Sequence, residues 1–246
     1  RTRRRAGSGR SRSTGWVRLL CFVVLTSAMG LLPTALAATD VQQDITDGHY
    51  VAAYEAASAV DTAASQVLAA RAASDYAVYG QPSESEQITW LRRGRDAAQR
   101  AIELDPDNAA AYVQLARAKG EIARRAGVFE SLNVVNDLRD LFEHAIAIDP
   151  DNADALVGLA MWNLELTQHG VGWLYGASKG NVLSLLKKGI AAAPEQVNLR
   201  VEYATALRAL GDEGAAKAQL EKALSLPARS AADRIEQKRA AAMLGL

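Results

Sequence analysis

Three segments of this chain repeat one another at a fixed interval. They are Ala101-Ile102-Glu103-Leu104-Asp105-Pro106-Asp107-Asn108-Ala109, Ala145-Ile146-Ala147-Ile148-Asp149-Pro150-Asp151-Asn152-Ala153 and Gly189-Ile190-Ala191-Ala192-Ala193-Pro194-Glu195. Pro106, Pro150 and Pro194 are 44 residues apart, and Pro227 follows 33 residues later. Each proline ends one helix and suits the first turn of the next, while Asp107/Asn108 and Asp151/Asn152 can cap the orphan N–H groups there. A unit of this size cannot bury its own apolar face, so such units stack into one continuous core. Alanine is abundant and runs of β-branched residues are absent, so strands are not expected.

The unit resembles the tetratricopeptide repeat (TPR), an antiparallel helix pair of about 34 residues. On its pattern, Tyr112, Leu115 and Ala116 take the large-large-small positions of helix A in one unit. Leu156, Leu159 and Ala160 take them in the next, and Tyr203 and Ala204 fill two of them in the last. Helix B positions fall on Ala101, on Phe142 and Ala145, on Leu186 and Gly189, and on Leu220 and Ala223. Gly211-Asp212 makes the turn of the last unit, which has no insertion. The resemblance implies an all-α, right-handed α-solenoid of about five stacked helix pairs, with extended helices and loops in the first three full units. A weaker likeness extends to the T-component proteins of tripartite (TRAP) transporters.

Units one to three exceed the usual period by about 10 residues. The surplus falls between helix A and helix B each time, in 77–93, 120–137 and 164–181, which places all three inserts on one edge of the solenoid. Ser83-Glu84-Ser85-Glu86 is a Ser-x-x-Glu capping box opening a helix toward Leu104. Val67–Tyr79 carries Leu68, Ala72, Tyr76 and Tyr79 as one apolar stripe. Gly48-His49-Tyr50 resembles the start of an earlier helix B, and residues 230–246 read as a closing helix.

Residues 1–37 differ from the rest. Seven arginines and no acidic residue precede an apolar run from Leu19 to Leu32 and a small-x-small site at Ala35-Leu36-Ala37. That order predicts a cleavable export signal, cut after Ala37, followed by one solenoid domain over 38–246 acting in the periplasm or outside the cell. No stable membrane span is expected after cleavage, because the apolar run is short of the ~20 residues a bilayer requires. Without the seven arginines, the remaining 209 residues hold 21 basic and 28 acidic side chains, a net charge of −7. An acidic body lacks the basic footprint that phosphate-backbone binding needs, so nucleic acid is not an expected partner. The single cysteine, Cys21, lies inside the signal, so no disulfide or thiolate site is expected in the body.

Motifs with catalytic potential have structural readings. Gly176-Ala177-Ser178-Lys179-Gly180 satisfies the nucleophile-elbow pattern, yet that elbow needs a preceding strand and a later histidine, and His49, His144 and His169 all come before it. A cap for the next helix is the better reading of Ser178. Asp149–Asp154 has the acidic density of a calcium loop without its glycine or terminal glutamate. Glu165 and His169 share one helix face but have no third ligand, so a surface hydrogen bond is expected rather than a metal. The chain is expected to be non-enzymatic and to need no cofactor or metal.

In TPR solenoids helix A residues line the concave face. By register that face includes Val113, Arg117 and Glu121; Val157, Met161 and Glu165; and Val201, Thr205 and Arg208, with Gly120 and Leu164 beside them. The expected occupant is a protein or peptide, and charge reversal at Arg117 and Glu165 is expected to weaken its capture without unfolding the chain. The resemblance does not extend to the carboxylate clamp, since valine replaces lysine at the fifth helix A position in all three units. The aromatic residues of the insert edge, Phe129, Trp173 and Tyr175, have two readings: packing of the extended helix ends against their neighbours, or a second contact surface for a partner or for a second copy of the chain in a homo-oligomer. The readings are therefore an extracytoplasmic adaptor, a self-assembling envelope protein, or an accessory subunit of a solute transporter.

Overall fold

The computed structural model describes residues 32–126 and 132–246, with side chains over 40–125 and 134–246. Residues 1–39 and 40–246 form two units; of the first, only the opening of one helix is described, and all that follows concerns the second. Most of the predicted signal, residues 1–31, lies outside the described residues, as does Phe129. Among the described residues there are twelve helices and no strand.

After α1 (Leu32–Asp47) and α2 (Tyr50–Ser58), which packs on α3, the helices pair as the repeat demands: α3 (Ala63–Tyr79) with α4 (Glu84–Leu104), α5 (Ala109–Ala126) with α6 (Leu132–Ile148). The third insert supplies a single turn, α8 (Gly172–Tyr175), between α7 (Ala153–Gln168) and α9 (Lys179–Ala192). The last pair is α10 (Val197–Ala209) with α11 (Glu213–Ser225), and α12 (Ala231–Leu244) closes the stack. Among the described residues the chain is thus a TPR solenoid of four helix pairs, preceded by two helices and ended by a closing one.

Local chemistry explains the boundaries. The Asn152 side chain accepts from Ala155 N at 3.0 Å and Asn108 from Ala111 N at 3.2 Å, as the repeat of Asp-Pro-Asp-Asn turns predicts. Asp212 caps α11 through Ala215 N. At α4 the Ser83 hydroxyl and backbone N–H both engage Glu86, forming the predicted capping box.

The repeat positions are the core. Leu115, Ala116, Leu156, Leu159, Ala160, Tyr203 and Ala204 are buried, and so are Ala101, Phe142, Ala145, Leu186, Leu220 and Ala223 on the B helices. Small residues recur because the helix axes approach closely. A Cβ on Gly189 would stand 2.7 Å from Val157 Cγ2 and 3.3 Å from the Ala153 carbonyl oxygen, so only glycine lets α9 lie this near α7.

Candidate functional site

The helix A residues of the predicted groove are mostly engaged in holding the solenoid together. Val113, Val157 and Val201 are buried between helices and offer no surface to a ligand. Their position faces the neighbouring helices, because small residues at the adjoining B positions draw the valines inward. Leu164 is buried too. Met161 is half-buried against the C-terminal core, and Thr205 spends its hydroxyl on the Val201 carbonyl one turn back.

The charged members are equally occupied. Arg117 on α5 places its guanidinium 2.7 Å from the carboxylate of Asp75, a buried residue on α3 that Arg71 also approaches at 3.5 Å. Burial opposes the Arg117 charge most strongly of any single cause, but Asp75, Tyr79 and Glu121 together overcome it and raise the guanidinium pKa. Reversing Arg117 therefore sets two carboxylates against each other inside the fold, which corrects the expectation that such a variant keeps its structure. Glu121 is held between Arg124 and Arg125; burial pushes its carboxyl up, and the two guanidiniums overcome that and lower it. Arg208 reaches Glu213 at 3.1 Å and the Met243 carbonyl at 2.7 Å. Glu165 alone stays on the surface, bonded to His169 at 3.1 Å as expected of that pair.

The closing helix adds to this crowding at the two ends of the row. α12 packs on α10 and α11 of the last pair and also meets α3 of an early one. Tyr79 on α3 donates to Glu236 Oε1 at 3.1 Å, Arg239 approaches Glu236 Oε2 at 3.5 Å and Glu202 on α10 at 3.0 Å. Gln237 ties the helix to the Ala223 and Leu226 carbonyls of the α11 end. The closing helix thus ties the last pair to an early helix. Burial raises the pKa of Glu236, Arg239 pulls it back and Glu202 adds to the rise. Nearby, burial and the Asp75 charge push the Tyr50 phenol up to about 12. Sequence reading missed this bridge. Its only trace is a glutamate, Glu236, on the same helical stripe as Ala240.

The insert edge presents a different surface. Trp90 from the first insert is buried against Tyr54 and Tyr76 with Arg93 stacked on its ring at 4.4 Å. In the third insert, Trp173 is 79% exposed and Leu174 57%, whereas Tyr175 turns inward to meet Trp162 edge-on at 6.4 Å. Ser178 caps α9, accepting from Asn181 N at 3.2 Å. The Asp149 turn is closed by its own side chain bonding Asp151 N and Asn152 Nδ2. Among the described residues, no three His, Cys, Asp or Glu side chains gather into a metal site, and no helix is long and apolar enough to cross a membrane.

A known structure agrees on the fold. The chain is similar to TTC0263, a thermophilic TPR protein of Thermus thermophilus, at 18% identity over 84% of this chain and 100% of that one, with a TM-score of 0.51. Two structures of MamA match at 17% identity, one covering 81% of this chain and 96% of that one and the other 87% and 96%, each with a TM-score of 0.44. No curated protein matches the sequence. The family model described as regulator of microtubule dynamics protein 1-3 matches residues 39–246, rather than one of transporter T-components, and the chain belongs to that family.

Proposed function

We propose that the chain is a non-catalytic protein-binding scaffold that engages its partner through the exposed turn of the third insert, and that it acts outside the cytoplasm. The observation that carries this reading is the exposure of Trp173 and Leu174 on a one-turn helix while Trp90 and Trp162 are buried. Large exposed apolar side chains side by side favour association, and tryptophan is the side chain most often found at the centre of binding surfaces. Burial of the helix A valines leaves the edge as the better docking surface. A scaffold role agrees with a serine, a turn and a Glu-His pair that each have structural work of their own. Export is supported by the order of arginines, apolar run and Ala35-Leu36-Ala37, and the family match begins at residue 39, just past the proposed cut. The family's description concerns microtubule dynamics; the reading here rests on the geometry of this body.

Crosslinked co-purification of the full chain carrying a C-terminal tag tests it. A Trp173→Ala/Leu174→Ser variant and a Glu165→Lys variant run beside the wild type. A partner lost only in the first variant establishes the edge. Loss only in the second restores the helix A face, and recovery of the chain crosslinked solely to itself assigns the edge to self-assembly. The N-terminal residue of the recovered protein reads the export proposal: Ala38 supports it, and retention of residues 1–37 overturns it.

A further inference from the structure

Around the exposed turn the chain changes sign. Residues 166–194 carry Lys179, Lys187, Lys188 and His169 and no aspartate or glutamate, whereas the body as a whole has a net charge of −7. Many cations elsewhere have a carboxylate at hand: Lys119 meets Asp137 at 3.0 Å, Lys217 meets Glu221 at 3.8 Å, and Arg100 grips Asp61 at 2.7 and 2.8 Å. Among the described residues, no carboxylate lies within 4.0 Å of Lys179, Lys187 or Lys188. The acids that border the stretch are already engaged. Glu165 bonds His169 at 3.1 Å, and Glu195 meets Arg229 at 2.6 Å. Glu143 on α6, which lines one hollow with Ser184, stands 3.9 Å from Arg139.

These lysines follow directly on the turn. α9 buries Val182, Leu186, Gly189 and Ile190, which leaves Ser184, Lys187 and Lys188, at i, i+3 and i+4, on its exposed side. Lys179 opens α9 just after Tyr175 ends α8, and the link between them is folded back by Ala177 N donating to the Gly172 carbonyl at 2.9 Å. From Lys179 to Lys188 the helix rises about 14 Å. The exposed side of α9 therefore begins at Trp173 and Leu174 and ends in a pair of lysines. Two uncovered apolar side chains and three cations without counter-ions lie within one short stretch of surface.

We infer that the partner segment seated on the turn is acidic, with carboxylates set against Lys179, Lys187 and Lys188 while its apolar side chains cover Trp173 and Leu174. This deepens the scaffold reading and rests on it. Burial of the tryptophan and leucine supplies most of the affinity, and the lysines choose the partner, since rim charges act on specificity more than on strength. The same lysines repel a basic segment. The negative charge on the rest of the body acts from beyond a Debye length of ~8 Å and is screened at physiological salt. An extended segment of about five residues spans the exposed side of α9.

The test titrates the full chain with the capped peptide acetyl-Glu-Leu-Glu-Phe-Glu-amide and with analogues carrying glutamine or lysine in place of every glutamate. Binding is followed by the NMR signal of the Trp173 indole. The glutamate peptide is expected to bind about tenfold more tightly than the glutamine peptide, the sum of three modest surface pairs, and the lysine peptide most weakly. A Lys179→Gln/Lys187→Gln/Lys188→Gln variant, altered only at exposed positions, is expected to bind the glutamate and glutamine peptides alike. Equal affinities for the three peptides in the wild type, a glutamate preference that survives in the triple variant, or no binding at millimolar concentration overturns the inference. So does a Trp173 signal that shifts with chain concentration alone, which assigns the surface to a second copy. Sedimentation with phosphatidylcholine–phosphatidylglycerol vesicles in the absence of peptide binding assigns it to a membrane and overturns it too. The two readings fail separately. Partner capture that needs Trp173 without any glutamate preference overturns the acidic segment alone, whereas capture indifferent to Trp173 overturns the scaffold reading at this turn.

Discussion

The first and third units carry the same surplus of residues and spend it in opposite ways. In the first, α3 has 17 residues and α4 has 21, against 13 each in α10 and α11, and the helices meet in a turn of four residues, 80–83. In the third, α7 has 16 and α9 has 14, and much of the surplus becomes a loop holding the four-residue α8. The cause is local. The first insert has the Ser83–Glu86 capping box and no glycine or proline from Glu84 to Arg93, so both helices simply lengthen. The third contains Gly170, Gly172, Gly176 and Gly180, and glycine loses most on entering a helix. A tryptophan on a long amphipathic helix is carried into the core, and one on a single turn is left in solvent. Equal insertions thus give core in one unit and surface in another.

The sharpest break of that contrast is Trp90→Ala. It removes the ring clasped by Tyr54, Tyr76 and Arg93, and a loss of ~3–5 kcal/mol in urea unfolding is expected. Trp173→Ala should move the same transition by less than ~0.5 kcal/mol, as surface substitutions do. Similar losses for the two variants would mean that the third insert is packed as firmly as the first.

Next in size is Asp75→Ala. Asp75 is buried while the Arg117 side chain keeps 29% exposure, so Arg117 retains some solvation when its partner goes. The expected loss is ~2–3 kcal/mol, below the range for a fully buried pair. Asp75→Ala/Arg117→Met should recover part of that loss, since no unpaired charge remains. A double variant weaker than the sum of the single ones would show instead that the pair packs as a unit.

Much of this fold was legible beforehand. Proline spacing, Asp-Asn caps and small residues at fixed positions are local signals, and they gave the helix pairs, the Ser83 box and the role of Ser178. The groove assignment transferred less well. Register alone puts Val113, Arg117 and Val157 on helix A, but it does not say which side of that helix another helix will cover. The bridge from Tyr79 to Glu236 joins residues 157 positions apart, a separation over which sequence periodicity carries no information.

Two glycines sharpen the contrast further. Gly189→Ala forces α9 away from Val157 and should cost ~1–3 kcal/mol through overpacking. Gly176 meets nothing within 4 Å but has φ of +71°, so Gly176→Ala should cost ~1–2 kcal/mol through the backbone alone. The first variant is expected to be rescued by Val157→Ala and the second is not. Rescue of both, or neither, would erase the distinction between a glycine that packs and one that turns.

The smallest expected change concerns the bridge between early and late helices. Burial raises the pKa of Glu236, so the folded chain holds that proton more tightly than the unfolded chain, where a glutamate titrates near ~4.3. The group's contribution to stability is therefore full below that value and is lost as pH rises through its higher folded pKa. Glu236→Gln keeps an acceptor for Tyr79, and Arg239 still has Glu202 at 3.0 Å. The variant should match the wild type in acid and exceed it by less than ~1 kcal/mol at neutral pH. Urea unfolding at several pH values between 4 and 7.5 measures the difference. If the wild type gains on the glutamine variant as pH rises, the Arg239 contact outweighs burial, and the bridge is fastened by charge rather than merely tolerating it.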